Sequence, residues 1–443
     1  MRWYLIVVAS LVLVRTATAA PPTFTLDQVI AKAIASPRVE MATGDRDAAA
    51  ARVDEADAAR LPRIKATAFG TISPDIQCID ANCEQTTPRN FAFRFSGLYG
   101  TAELDVTQPL YTFGKIGHAR SAARAGRDAQ SALADEAAGD VAADAARAYW
   151  GLKLARELGY MLDDGIEQIE SAKAHFDERG HEISIQDKQR VAVLLAEAKV
   201  QRAEAADGEA QALAGLRALV GMADADIDDG ELAAVAHELP AAEAVVAAAA
   251  HRPRTTAAQS GARAADELAA FEQAQLLPDV AIVASGVISH AQGVQDPPSA
   301  YAYDPYRKTG AGAGLGLSWT LEPWNVAARV DRARAEAKKQ HAQAQLAELG
   351  ARYDAESAHS EARSAHQKLD AAAEGEKAAR AWLAAVLQNE AIGTAEARDL
   401  VDAYIAWFQM RARWATAVTT WNVAVVRLGR ATGEYRAGAS RQN

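Results

Sequence analysis

Residues 37–70 read PRVEMATGDRDAAAARVDEADAARLPRIKATAFG, and residues 253–286 read PRTTAAQSGARAADELAAFEQAQLLPDVAIVASG. At a shift of 216 the two stretches align without a gap, and ten of 34 positions are identical. Alanine inflates such a count. The weight rests on the Pro37/Pro253 and Leu61-Pro62/Leu277-Pro278 pairs and on Gly70 and Gly286, which close both stretches. Further along, LRALVG at 216–221 matches LGRATG at 428–433 at a shift of 212. Internal repetition on this scale makes the chain two copies of one structural unit. The repeats run over 20–221 and 241–433, with 222–240 as a linker or equatorial segment and 434–443 as a tail.

Within each copy the order of elements is the same. Pro37 and Pro253 stand where a helix opens, because proline's missing N–H is unneeded in the first turn. About 24 residues of mostly Ala, Glu, Arg and Gln follow, until Leu61-Pro62 or Leu277-Pro278 stops the helix. The period then changes to two. Ile64, Ala66, Ala68 and Ile72 alternate with Lys65, Thr67 and Thr71, and copy two gives Val280, Ile282, Ala284 and Ile288. After a loop the alternation resumes with Ala102, Leu104 and Val106, matched by Ala311, Ala313, Leu315, Leu317 and Trp319, which alternate with Gly312, Gly314, Gly316, Ser318 and Thr320. These are four strands, each with an apolar face and a polar or small one.

Next, 115 to about 179 and 325 to about 388 hold only isolated glycines and no proline. Helices of some 60 residues would reach on the order of 90 Å, more than a globular domain needs. Each stretch ends at a glycine, Gly180 or Gly393, with Ser184 and Thr394 as N-caps of a return helix and Asp187, Glu396 and Asp399 close behind. The return helices are expected from about 186 to 220 and 395 to 433. In the second, Tyr404, Phe408, Val418, Trp421, Val425 and Leu428 form a packing seam.

The first 20 residues carry Arg2, an apolar run over 3–14 and the small residues Ala17-Thr18-Ala19. They read as a secretory signal peptide of residues 1–19, too short in its apolar part to span a bilayer. No later stretch supplies a spanning helix. The 443-residue chain is acidic, with a net charge of −11, and shows no basic cluster interleaved with aromatics, which argues against nucleic acid. Cys78 and Cys83 are its two cysteines. In an exported protein, with no histidine nearby, they predict a small disulfide rather than a metal site.

Strands of about 11 residues match the length that crosses a bilayer at a tilt, and a polar or glycine-rich face suits a water-filled lumen. A soluble sandwich would also use an apolar strand face. In lipid, however, an open sheet edge leaves backbone groups unsatisfied, so four strands cannot stand alone. At least two chains must pool them, since the smallest such barrels have about eight strands. The expected fold is mainly α with a small β part: long helical hairpins and four transmembrane strands per chain, duplicated in tandem.

Several stretches together resemble the TolC-like outer-membrane efflux proteins: TLDQVIAKAIASPRVEMA at 25–42, LPRIKATAFG at 61–70, QPLYTFGKIGHAR at 108–120, and in the second half RPRTTAAQ, LLPDVAIVASG and LSWTLEPWNVAAR. The likeness covers essentially the whole chain after the signal. It implies a homotrimer with one shared 12-stranded outer-membrane barrel, and a helical barrel crossing the periplasm to meet a periplasmic adaptor and an inner-membrane transporter. The role implied is a passive conduit in a tripartite efflux pump or type I secretion system, without cofactor and without enzymatic chemistry of its own. The family's strand-to-helix turn carries a glycine pair. Here Phe113-Gly114 keeps one, and copy two offers Trp324-Asn325, where asparagine is expected to take the unusual angles.

The helix turns far from the barrel meet the adaptor in the resembled family. That points to Gly180, Glu182, Ser184 and Asp187 in copy one, and to Gly393, Thr394, Glu396 and Asp399 in copy two. Taken singly, each carboxylate equally suits a helix cap stabilised by the dipole. No phosphate loop, HExxH or Gly-x-Ser-x-Gly is present. His359 and His366 lie about 10 Å apart along a helix, too far to share a metal. His175 and His181 flank a helix end and read as solvated. The rival readings are a periplasmic coiled-coil scaffold or adaptor that never enters a membrane, and an envelope hydrolase on a helical stalk.

Overall fold

A computed structural model of the chain describes residues 22–74, 95–178, 184–292, 294, 306–392 and 397–435. In chain order the elements are β1 (Thr23–Phe24), α1 (Leu26–Ile34), α2 (Pro37–Ala58), β2 (Arg63–Pro74), β3 (Phe95–Tyr111), α3 (Lys115–Glu178), α4 (Ile185–Val220), β4 (Asp226–Ile227), α5 (Ala242–Ala249), α6 (Pro253–Ala274), β5 (Asp279–Ala291), β6 (Thr309–Ser318), α7 (Pro323–Ala391) and α8 (Ala397–Thr432). The expected order holds twice over. Helices α2 and α6 are both 22 residues long and begin at Pro37 and Pro253. Helices α3 and α7 run for 64 and 69 residues, and α4 and α8 for 36 each. Gly221 and Gly433, paired by the second repeat shift, follow α4 and α8 with φ of 73° and 78°, a left-handed stop that glycine takes without steric cost.

Two compact units form, one from the described residues of 41–134 and 250–351, the other from those of 1–40, 135–249 and 352–443. The first holds the sheet, in the order β2-β3-β5-β6, antiparallel throughout. Direct partners in an antiparallel ladder share a face. One face therefore carries Ile64 opposite Val106, Ala66 opposite Leu104, Ile72 opposite Leu98, Ile282 opposite Leu315 and Val280 opposite Leu317. The other carries Lys65 opposite Asp105, Thr67 opposite Glu103, and Ser285 and Val283 opposite Gly312 and Gly314. The alternation legible in the sequence is thus one continuous apolar face across four strands.

Strand β3 is longer than the alternating stretch because it passes through Pro109. Proline cannot donate to the ladder, and the register shifts between Pro109 and Tyr111. The Gln108 amide spans this break, donating to Arg60 O at 2.7 Å and to Pro109 O at 2.9 Å. The chain then turns into α3 through Phe113 and Gly114, with φ of 49° and 91°. Phe113 takes the left-handed place of a second glycine, and its ring meets Tyr111 edge-on at 4.6 Å. Copy two corrects the expectation for Asn325. Pro323 presets the helical φ and starts α7 two residues earlier, so Asn325 lies inside the helix, donating to Glu322 Oε2 at 3.3 Å.

In the same unit α6 is tied to α3 by His118 Nδ1 and Glu267 at 2.7 Å. Arg329 with Glu272 at 3.1 Å and His341 with Asp266 at 2.9 Å tie it to α7. Arg120 of α3 bonds Asp57 at the end of α2. That guanidinium holds the Asp57 carboxyl below the usual carboxylate range, against the opposing effect of desolvation, with Arg124 and Arg60 adding to it.

The second unit holds the aliphatic core, with Val29, Val141, Leu152, Leu216, Ile227 and Val418 nearly or fully buried. The segment expected as a linker, 222–240, is built into it. Strand β4 pairs in parallel with β1, and Tyr149 and Lys153 of α3 donate to Asp228 at 2.6 and 3.1 Å. Arg156 reaches Asp226 at 2.6 Å and Glu209 of α4 at 2.9 Å. Beyond it the chain runs without regular structure to Pro240 and is held by α8. Buried Asn422 accepts from Val235 N at 2.8 Å and donates to Ala233 O at 2.9 Å, and Trp421 Nε1 donates to Val235 O at 2.8 Å.

Candidate functional site

Two regions bear on function. The first is the sheet. Among the described residues nothing covers its apolar face: Ile64, Leu104, Ile288, Leu315 and Leu317 are all exposed. A soluble sandwich would bury such a face, at roughly 25 cal/mol per Å² of apolar area. Aromatic side chains gather where the strands hand over to the helices. Tyr111 and Trp319 are exposed there, and Trp324 is 86% exposed, the placement of an interfacial girdle. Among the described residues no helix is long and apolar enough to cross a membrane.

The second region lies at the α4 and α8 ends. Ser184 caps α4: its Oγ accepts from Asp187 N at 3.1 Å and donates to Asp187 Oδ2 at 2.7 Å, and Arg190 approaches the same carboxyl at 3.4 Å. Asp187 therefore serves the cap. Asp399 is exposed in the first turn of α8. Gly180, Glu182, Gly393, Thr394, Glu396, Cys78 and Cys83 lie outside the described residues.

Between α4 and α8 runs an open groove of about 1320 Å³, floored by Met161, Leu194 and Phe408 and rimmed by Arg190, Arg398 and Asp402. Ile185 and Val193 stand exposed along it. Higher on the same helices, Arg411 of α8 bonds Glu157 of α3 and approaches Glu376 of α7 at 3.6 Å. Its guanidinium lies over Trp414, 4.3 Å from the ring centroid. One arginine thus joins three helices. Neither the groove nor this cluster was legible beforehand, since both join residues from helices that meet only in the fold.

No group of three or more His, Cys, Asp or Glu side chains suited to a metal ion occurs among the described residues. His359 Nε2 donates to Pro240 O at 3.1 Å, and His366 pairs with Asp370 at 3.0 Å, so both have structural partners.

The sheet with one lipid-suited face, repeated in tandem on long helices, is the arrangement that decides the family. The family model for the outer membrane efflux protein matches residues 31–222 and again 244–434. The chain belongs to this family. Its duplication is the family's own, and an outer membrane efflux protein is a channel protein of the bacterial outer membrane. Among solved structures the chain is similar to CusC, studied for its transmembrane channel formation, at 15% identity over 94% of each chain with a TM-score of 0.75. It is also similar to the open state of the Neisseria gonorrhoeae MtrE outer membrane channel, at 18% identity over 92% of this chain and 88% of that one, TM-score 0.74. For the Campylobacter jejuni CmeC outer membrane channel the figures are 16%, 94%, 87% and 0.73. At such identities the shared property is the fold. No curated protein matches the chain in sequence.

Proposed function

We propose that this outer membrane efflux protein is the passive exit conduit of a tripartite efflux pump or type I secretion system, and that it works as a homotrimer. The observation that carries this is the open four-stranded sheet. Its apolar face suits lipid and its polar face suits water, but both edge strands leave their backbone groups unpaired, which hydrocarbon does not tolerate. Three copies of the 4-stranded sheet would close a 12-stranded barrel. In this reading the driving step would belong to an inner-membrane transporter.

A periplasmic adaptor would dock at the far ends of the helix pairs. The α4/α8 groove, apolar on its floor with charged groups on its rim, supports that reading, and Gly180, Glu182, Ser184, Asp187, Gly393, Thr394, Glu396 and Asp399 would lie close by. The two turns differ, GHEISIQD against GTAEARDL, so an adaptor would meet two kinds of contact in alternation around the trimer. The experiment is extraction and mass measurement. The account expects the protein in the outer-membrane fraction, released only by detergent, with a trimer's mass. Release with soluble periplasm would favour a scaffold that never inserts.

A further inference from the structure

Four of the five positions of β6 on the polar face are Gly310, Gly312, Gly314 and Gly316, a run without side chains that ends at Ser318. A Cβ at Gly316 would meet Val283 Cγ2 at 3.1 Å, so the chain's own packing accounts for that glycine. It does not account for the other three. A Cβ at Gly310, Gly312 or Gly314 would meet nothing within 4 Å, and none of the three has a positive φ. Glycine weakens a strand interior, and where it is kept another backbone or group approaches closely. Among the described residues this space is open, which leaves room there for a group of a second copy.

The opposite edge of the sheet supplies the complement. Strand β2 carries Arg63, Lys65, Thr67, Phe69 and Thr71 on the same face, all of them exposed. Phe69 is the one apolar side chain in that set, a ring 59% exposed. Ladder partners carry the face assignment across the sheet, from Phe69 to Thr101, from Thr101 to Ser289, and from Ser285 to Gly312. Because the four strands alternate in direction, β2 of one copy lies antiparallel to β6 of the next when edges meet. Charge agrees at the helix end, where β2 starts with Arg63 and Lys65 while β6 runs out to exposed Glu322.

We infer that the glycine run of β6 receives the β2 side chains of a second copy of this chain, with Phe69 lying over the bare backbone of Gly310, Gly312 or Gly314. An aromatic ring over a glycine on the neighbouring strand shields exposed backbone and pins register. The run is therefore the receiving half of the subunit joint, and Phe69 sets how the copies slide against each other. This inference rests on the homotrimer reading above.

The test places phenylalanine singly at Gly310, Gly312 and Gly314 in the full-length protein and measures the trimer fraction in detergent by native mass spectrometry. A Cβ at each position meets nothing within 4 Å, and far-UV circular dichroism of each variant checks that folding is spared. At least one variant is expected to lose trimer by about tenfold through overpacking at the joint, and Phe69→Gly in the same chain to restore it. Ala311→Phe, on the lipid face, should leave assembly unchanged. If all three variants assemble like the parent, the run is simply open to the lumen and the inference is overturned. A loss that Phe69→Gly does not repair overturns the assignment to Phe69. If the unaltered protein is not a trimer, the failure belongs to the homotrimer reading instead.

Discussion

The Phe408 ring on α8 occupies the space that any side chain at Gly165 on α3 would need, and Met410 fills the corresponding space at Gly375 on α7. Helix α8 is seated between two long helices through a pair of glycine notches. Such close approach lets a 36-residue helix lie along its neighbours without a gap. Gly165→Ala should therefore destabilise the protein by about 1–3 kcal/mol through overpacking, which outweighs the ~1 kcal/mol that alanine gains over glycine inside a helix. Phe408→Leu in the same chain should recover much of that loss. Denaturant unfolding of the single and double variants measures both.

The chain from Asp229 to Pro240 should loosen when its anchor is removed. Asn422→Ala leaves Val235 N and Ala233 O without their partners, at a cost of about 0.5–1.5 kcal/mol for each hydrogen bond lost. Hydrogen exchange at Val235 is expected to accelerate while exchange in the middle of α3 stays slow.

Acid should remove a definite share of stability at the Tyr149–Asp228–Lys153 cluster. Burial pushes the Asp228 carboxyl upward, but bonds from the Tyr149 hydroxyl, the Lys153 ammonium and the Gly230 N–H outweigh it and hold the pKa below the ordinary value. Tyr149 shifts the other way, raised first by burial and then by Asp228, so it remains a neutral donor. For a carboxylate depressed on folding, the stabilisation is present above the unfolded pKa of about 3.9 and disappears as pH falls through the folded value. Asp228→Asn should lower the melting temperature at pH 7, and the difference from the parent should vanish at a pH below the ordinary aspartate range.

The two faces of the sheet should respond oppositely to charge. Leu104→Arg places a guanidinium on the lipid side, at a cost of about 2–4 kcal/mol near the bilayer midplane, and should cut the yield of inserted protein. Ser285→Arg, on the lumenal side, should insert normally and change conductance instead. Outer-membrane fractionation of the two variants compares them directly.

Much of this fold was legible in the sequence because its signals are local. Pro37 and Pro253 start helices by their own fixed φ, Leu61-Pro62 stops one, and the period of two from Ile64 to Ile72 marks a strand whatever surrounds it. What escaped depends on partners distant in the chain. The alternation beyond Val106 breaks at Pro109, and only the Gln108 amide reaching Arg60 O shows how β3 continues to Tyr111. Asn325 suits a turn by residue type alone, and it is Pro323 that starts the helix before it. Segment 222–240 looked like a linker because its hydrogen bonds come from α3 and α8, and the arginine cluster at Arg411 is assembled from three helices. The glycines of β6 were visible as one face of a strand. Their unfilled space was not, since it depends on which described residues lie within reach of Gly310, Gly312 and Gly314 in the fold.

Conductance of the purified trimer in planar lipid bilayers tests the conduit most directly. The account predicts discrete, stepwise current increments on insertion, without nucleotide or any partner protein, and a changed step size for Ser285→Arg. A correctly folded trimer that inserts into the bilayer yet carries no current would contradict it.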